Sequence, residues 1–327
     1  MEKTKILKLK NNVLENYSIR NIDNIKEIPH SNVNSLNLLL TNNSKNYVLH
    51  KFQDNSTSQR IEKMCAIIDF CSKKGIKVSE PIKNKNNKFY TNGYYITKFH
   101  QGKFSNNSLI EIKNLATSIA HLHRCLSKIK INYNFKPKSK LYAYLSKNEL
   151  SKIQSLIHSK HNLDATNKML AKNFDFVVQQ MSDCKKLEKQ LKNKNFSKQL
   201  IHGDFNPSNV IFNNHDVAAI LDFNQMRKGL VIEDVSFASI RFSYKSNFSK
   251  KSLSSRIEKF LYEYQKINPI ETNQYQYFHF FLKRPFVNAL NYILRSKYLT
   301  KNNLWENDFK KNLKFLKIAQ SLENEIF

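Results

Sequence analysis

The sequence predicts an α+β protein of two lobes, a small antiparallel sheet followed by a mainly helical region. Two observations carry this. Between Ser35 and Phe99, short apolar or β-branched runs alternate with turn chemistry, and one amphipathic helical stretch lies among them. Beyond Gly102 the periodicity is helical nearly to the end, interrupted by one hairpin near residues 210–221. The expected division is 1–98 for the sheet lobe and 99–327 for the helical lobe.

Residues 1–30 mix Lys, Asn and Ile and read as a short helix and an edge strand. Ser35 to Thr41 and Tyr47 to Phe52 read as paired strands joined across Asn42–Asn46. From Ser58 to Lys74, Ile61, Met64, Cys65, Ile68 and Cys71 form one helical stripe, and Gly75 ends it. Val78–Ile82, Lys88–Tyr90 and Tyr94–Phe99 follow as strands, with Asn92-Gly93 as a hairpin turn. Leu109, Ile112, Leu115, Ile119 and Leu122 mark the next helix, with Ser105 or Asn106 as its cap. His121 and His123 flank Leu122 and read as a surface and a packing histidine, since no third ligand accompanies them. Residues 147–195 are helix-permissive. After the hairpin, Asp234 is expected to cap a helix, and the tail carries three more, one with Pro285 as a kink.

With 40% hydrophobic and 12% aromatic residues among 327, the chain is globular rather than disordered. Lys and Arg number 54 against 26 acids, a formal net charge of +28. Such an excess raises nucleic acid, acidic surfaces and anionic ligands as partners. No Lys/Arg block of the kind used as a nucleic-acid arm is present, so the charge reads as a solvated Lys- and Asn-rich surface and nucleic acid is not expected. The four cysteines lack metal-ligand spacing. Neither a signal-type apolar segment nor a run of 18 apolar residues occurs, so a soluble, cytoplasmic protein without membrane insertion is expected.

The chemistry concentrates between Gln199 and Phe223. His202, Asp204 and Asn209 form His-x-Asp-x-x-x-x-Asn, and a hairpin then delivers Asp222 before Phe223. Phosphoryl transfer needs an orienting carboxylate beside the acceptor hydroxyl and hard oxygen ligands for the Mg2+ that neutralises the phosphates. Asp204 suits the first role; Asn209 and Asp222 suit the second. Upstream, Lys51 is the candidate phosphate-binding cation, although the pleat puts His50 and Lys51 on opposite faces and either could look toward the nucleotide. Glu62 would be the partner of Lys51 or an exposed carboxylate. The backbone from Thr97 to Phe99 would meet the adenine edge. A phosphate-covering loop is expected at His30–Ser35, without glycine; Ser and Asn side chains would supply its donors.

These residues resemble the aminoglycoside phosphotransferase, choline kinase and homoserine kinase superfamily. The similarity covers most of the chain in order: Tyr47-Val48-Leu49, Lys73 through Ile82, Ala120-His121-Leu122-His123, His202-Gly203-Asp204 through Asn209, Leu221-Asp222-Phe223, and Asp234 in Glu-Asp-Val-Ser-Phe-Ala. His-Gly-Asp separates this group from ordinary protein kinases. The resemblance implies a protein-kinase-like fold, ATP and Mg2+ as cofactors, and a small-molecule hydroxyl as acceptor, such as an amino alcohol, a homoserine-like compound or a sugar. It makes Asp204 the catalytic base, Asn209 and Asp222 the metal ligands, and His202 and Asp234 structural. An antibiotic kinase and a catalytically weak kinase-like binding protein are the alternatives.

Overall fold

The computed structural model describes residues 13–19, 22–28, 35–42, 45–52, 58–130, 135, 144–158, 165–300, 308–323 and 325. The strands are β1 (Ile22–Glu27), β2 (Ser35–Asn42), β3 (Lys45–Phe52), β4 (Pro81–Ile82), β5 (Tyr90–Thr91), β6 (Tyr94–Lys98), β7 (Lys103–Phe104), β8 (Gln199–Ile201), β9 (Val210–Asn213), β10 (Asp216–Ile220) and β11 (Arg227–Gly229). The longer helices are α1 (Ser58–Lys73), α2 (Leu109–Leu126), α3 (Lys147–His158), α4 (Ala165–Lys192), α5 (Val231–Ser243), α6 (Lys250–Gln265), α7 (Phe278–Leu294) and α8 (Asp308–Ser321).

Contacts divide the chain into two compact units, 1–135 with 202–226, and 136–201 with 227–327. The catalytic hairpin is hydrogen-bonded into the sheet-bearing unit. β7 pairs with β9, the Ser79 N–H donates to the Ile220 carbonyl (3.0 Å), and the Ile220 N–H donates to the Lys77 carbonyl (2.9 Å).

In the first unit the main sheet runs β1-β2-β3-β6-β4, antiparallel, with β5 also on β6. Pleating sorts its side chains. Leu38, Leu40, Leu49 and Ile96 share one face and pack with Val13, Leu14 and Tyr17 in a buried cluster. The expected stripe of α1, Ile61, Met64, Cys65, Ile68 and Cys71, is buried throughout. β9 and β10 meet through Asn214 and His215, both at positive φ (47° and 69°), which matches the twist of a tight hairpin. Asn114 of α2 donates to the His215 carbonyl (3.1 Å) and the Asp216 carboxylate (2.8 Å), anchoring that turn. Gly102 lets β7 approach β9: a Cβ there would lie 2.3 Å from the Phe212 carbonyl oxygen.

Two cap assignments change. Ser108, rather than Ser105 or Asn106, caps α2 by accepting from the Glu111 N–H (3.2 Å). The Ser105 hydroxyl and Asn106 N–H donate instead to the Glu111 carboxylate. At α5 the N-cap position is Leu230, whose N–H donates to Glu233 Oε1 (3.0 Å); Asp234 sits one residue further in than Glu233 and is 2% exposed. A carboxylate in the third helical position reaches back to the cap amide, whereas the next position points elsewhere.

The second unit is helical apart from the β8–β11 pair. α7 passes through Pro285 and ends in a π-helical turn at Arg295–Leu299. An ion-pair cluster ties its pieces together: Glu233 accepts from Arg227 (2.8 Å) and Arg284 (2.9 Å), and Arg284 also reaches Glu188 (2.5 Å). Among the described residues, no helix is long and apolar enough to cross a membrane.

Two outcomes follow. Gly102→Ala should lower the denaturant midpoint by more than about 1 kcal/mol of stability without changing m, because the new methyl meets backbone. Burial alone would raise the Glu233 carboxyl, but Arg227, Arg284 and the Leu230 N–H outweigh it and hold it below its ordinary 4.5. A depressed carboxylate stabilises the fold above its unfolded value, and this contribution is lost as pH falls through the folded value. Thermal melts of Glu233→Gln should therefore show a flatter acid limb than wild type; an unchanged limb would assign it to other groups.

Candidate active site

β8 leads directly into His202, which is fully buried. Its Nε2 lies 2.8 Å from the Leu221 carbonyl, and the Asp204 N–H donates to its Nδ1 (3.2 Å). A carbonyl can only accept and an N–H can only donate, so the ring is neutral with its proton on Nε2. Phe205 stacks on this ring (4.4 Å between centroids) and Phe223 meets its edge (4.6 Å). His123 of α2 in turn lies edge-on to Phe205, 6.4 Å away. His123 is buried and His121 exposed, so the pair are a packing and a surface histidine. Gly203 between His202 and Asp204 sits at φ 85°, a conformation that places Asp204 back against the ring and suits glycine.

Asp204 is held from both sides. The Asn209 side-chain amide donates to the Asp204 carbonyl (2.9 Å) and to its Oδ2 (3.2 Å). The Asn206 amide donates to Oδ1. Pro207–Asn209 form a short 3-10 turn that sets the five-residue spacing. Across the hairpin, the Leu221 N–H donates to the Asn209 carbonyl (2.8 Å), which brings Asp222 beside Asn209 in the chain path. Asp222 adopts a left-handed conformation (φ 55°, ψ 69°), and its Oδ1 accepts from the Asn224 N–H (3.3 Å). Burial is the main cause that pushes the Tyr95 hydroxyl well above its ordinary value, with a smaller contribution from Asp222. An amide and a carboxylate are hard oxygen donors, the set that suits Mg2+ bound through few protein ligands. Among the described residues, no cluster of three or more His, Cys, Asp or Glu could hold a metal.

The proposed nucleotide residues fall differently. Lys51 is paired with Tyr94 on the face that carries Leu49, and its Nζ lies 5.8 Å from the Tyr94 ring centre. His50 occupies the opposite face with Tyr95: the rings stack at 4.5 Å, and its nitrogens lie 2.9 Å from Asn37 Oδ1 and Thr97 Oγ1. The expected Lys51–Glu62 pair is absent among the described residues, a correction with a simple cause. α1 aims Glu62 at the start of β5, where its carboxylate accepts from the Phe89 N–H (3.0 Å) and Tyr90 N–H (3.1 Å). Thr97 is buried within the sheet. Phe99 is 38% exposed, and its N–H already donates to the Asn46 carbonyl (3.1 Å). The covering loop at residues 30–34 lies outside the described residues. Sequence reading passed over Asn206, although the Asp-Phe-Asn-Pro run places an amide two residues past Asp204, and over Arg60, whose contact with residue 224 no local pattern announces.

Solved structures with this fold include a spectinomycin phosphotransferase, APH(9)-Ia, in complex with ADP and spectinomycin (16% identity, 99% of each chain, TM-score 0.71). An amicoumacin kinase, hAmiN, solved with AMP-PNP, Ca2+ and Ami, is similar over 98% of this chain and 94% of that one (13% identity, TM-score 0.70). Choline kinase LicA from Streptococcus pneumoniae matches over 96% and 98% (14% identity, TM-score 0.59). At these identities the likeness shows a protein-kinase-like fold. No curated protein matches the sequence significantly. The phosphotransferase enzyme family, however, matches residues 24–268, a span that holds the sheet from within β1 onward, α1, α2 and the whole loop from His202 to Asp222, and the chain belongs to that family.

Proposed function

We propose that the protein is an ATP-dependent kinase that phosphorylates a hydroxyl of a small metabolite. The observation that carries this reading is the fixed carboxylate of Asp204, oriented by the Asn206 and Asn209 amides beside the hairpin that bears Asp222. The acceptor oxygen attacks the γ-phosphorus, the bond from that phosphorus to the β,γ-bridging oxygen breaks, and ADP leaves. Asp204 orients the hydroxyl and takes its proton. Asn209 and Asp222 would hold Mg2+, which supplies charge neutralisation at the phosphates when bound. Lys51 would hold the α- and β-phosphates, with His50 on the opposite face of β3 as the alternative.

The sheet-bearing residues 1–98 would serve the nucleotide and 99–327 the acceptor, in a soluble cytoplasmic enzyme. Structurally similar proteins include a choline kinase, an aminopropanol kinase and antibiotic phosphotransferases. A net charge of +28 disfavours a polycationic acceptor by long-range repulsion, which favours a neutral or anionic compound such as a homoserine-like amino acid or a sugar. One observation favours a second reading, a kinase-like binding protein with weak turnover: Glu62 is committed to the β5 backbone and does not pair with Lys51.

Asp204→Asn keeps the shape and removes the base. ATP turnover with a competent acceptor should fall by roughly 100-fold or more, while Mg2+-dependent ADP binding, followed by calorimetry, stays near wild type. Undiminished turnover would remove Asp204 from the mechanism. Nucleotide binding without turnover over a broad metabolite panel would support the second reading.

A further inference from the structure

Arg60, in the first turn of α1, is tied to the segment that follows Asp222. Its Nη2 donates to the Asn224 carbonyl oxygen (2.8 Å), and its guanidinium carbon lies 5.7 Å from the centre of the Phe135 ring. Phe135 is 3% exposed, so the ring lies buried beside the guanidinium. A planar, delocalised cation can stack on that ring and donate in its own plane at once; an ammonium can do only one of these well. Asn224, held at its carbonyl by Arg60, uses its N–H on the Asp222 carboxylate (3.3 Å). The hydrogen bonds therefore run from α1 to the carboxylate through one residue.

That residue matters because Asp222 is left-handed, a conformation Asp reaches with the help of a local side-chain hydrogen bond, here the one from the Asn224 N–H. The Phe223–Gln225 turn supplies that N–H, and its backbone is what Arg60 grips. We propose that Arg60 is a positioning residue that sets the Asp222 carboxylate for divalent-cation binding, with Phe135 and Asn224 as its two supports. The proposal rests on the reading of Asp222 as a metal ligand. A purely structural tether would instead affect only the anchoring of α1.

Mn2+ separates the two roles, because its binding in the presence of ADP is read directly by electron paramagnetic resonance on the full-length protein, without turnover. Arg60→Met should raise the Mn2+ dissociation constant roughly tenfold, as outer partners of metal ligands do. Arg60→Lys and Phe135→Leu should give smaller increases, with the wild-type circular dichroism spectrum retained. In turnover, raising Mg2+ should restore kcat of Arg60→Met while that of Asp204→Asn stays low. An Arg60→Met protein that binds Mn2+ within about twofold of wild type, when Asp222→Asn has lost binding, overturns the relay alone. If Asp222→Asn binds Mn2+ like wild type, the metal assignment of Asp222 fails and the relay with it. Should Arg60→Met not fold, Arg60→Lys and Phe135→Leu decide the question by the same readout.

Discussion

Leu221 is gripped at both of its backbone polar groups by the loop that precedes it. Its N–H donates to the Asn209 carbonyl and its own carbonyl accepts from His202 Nε2, each at 2.8 Å. Everything else at the site depends on this double attachment. Because His202 is neutral and fully buried, the bond it makes cannot be exchanged for water without leaving polar groups unsatisfied. The residue after Leu221 is Asp222 and the residue closing the loop is Asn209, so the clamp fixes the two oxygen donors relative to each other before any ligand arrives. The stack of His123, Phe205, His202 and Phe223 supports it from the apolar side.

Much of this was legible in the sequence, and the reasons are particular. His202, Asp204 and Asn209 occur at a spacing that only a turn followed by a strand can use, and the apolar runs on either side of residues 213–216 announce the hairpin. The α1 stripe was equally plain, since five apolar residues at helical spacing have nowhere to go but inward. What failed was direction at short range. Spacing placed Glu62 on the right helix, yet the β5 backbone amides claimed its carboxylate. Pleating left His50 and Lys51 as alternatives, and only the register with Tyr94 and Tyr95 assigned each to a face. Glu233 and Asp234 are neighbours of identical charge, and the capping bond went to the one whose position in the first turn reaches the Leu230 amide.

The charge distribution separates structural from functional uses of the same residue types. Glu233, Glu188, Arg227 and Arg284 neutralise one another inside the helical unit, where an unpaired partner would be costly. At the candidate site, Asp204 accepts from the Asn206 and Asn209 amides and Asp222 from the Asn224 N–H.

Incubation with ATP carrying 18O at the γ-phosphoryl, against a panel of small hydroxyl compounds with mass-spectrometric readout, tests the central claim most directly. Labelled phosphate should appear on one class of acceptor in the presence of Mg2+, together with stoichiometric ADP, and should vanish on removal of Mg2+. Release of the label only as inorganic phosphate, or no loss of ATP with any acceptor, would contradict transfer by the Asp204 site.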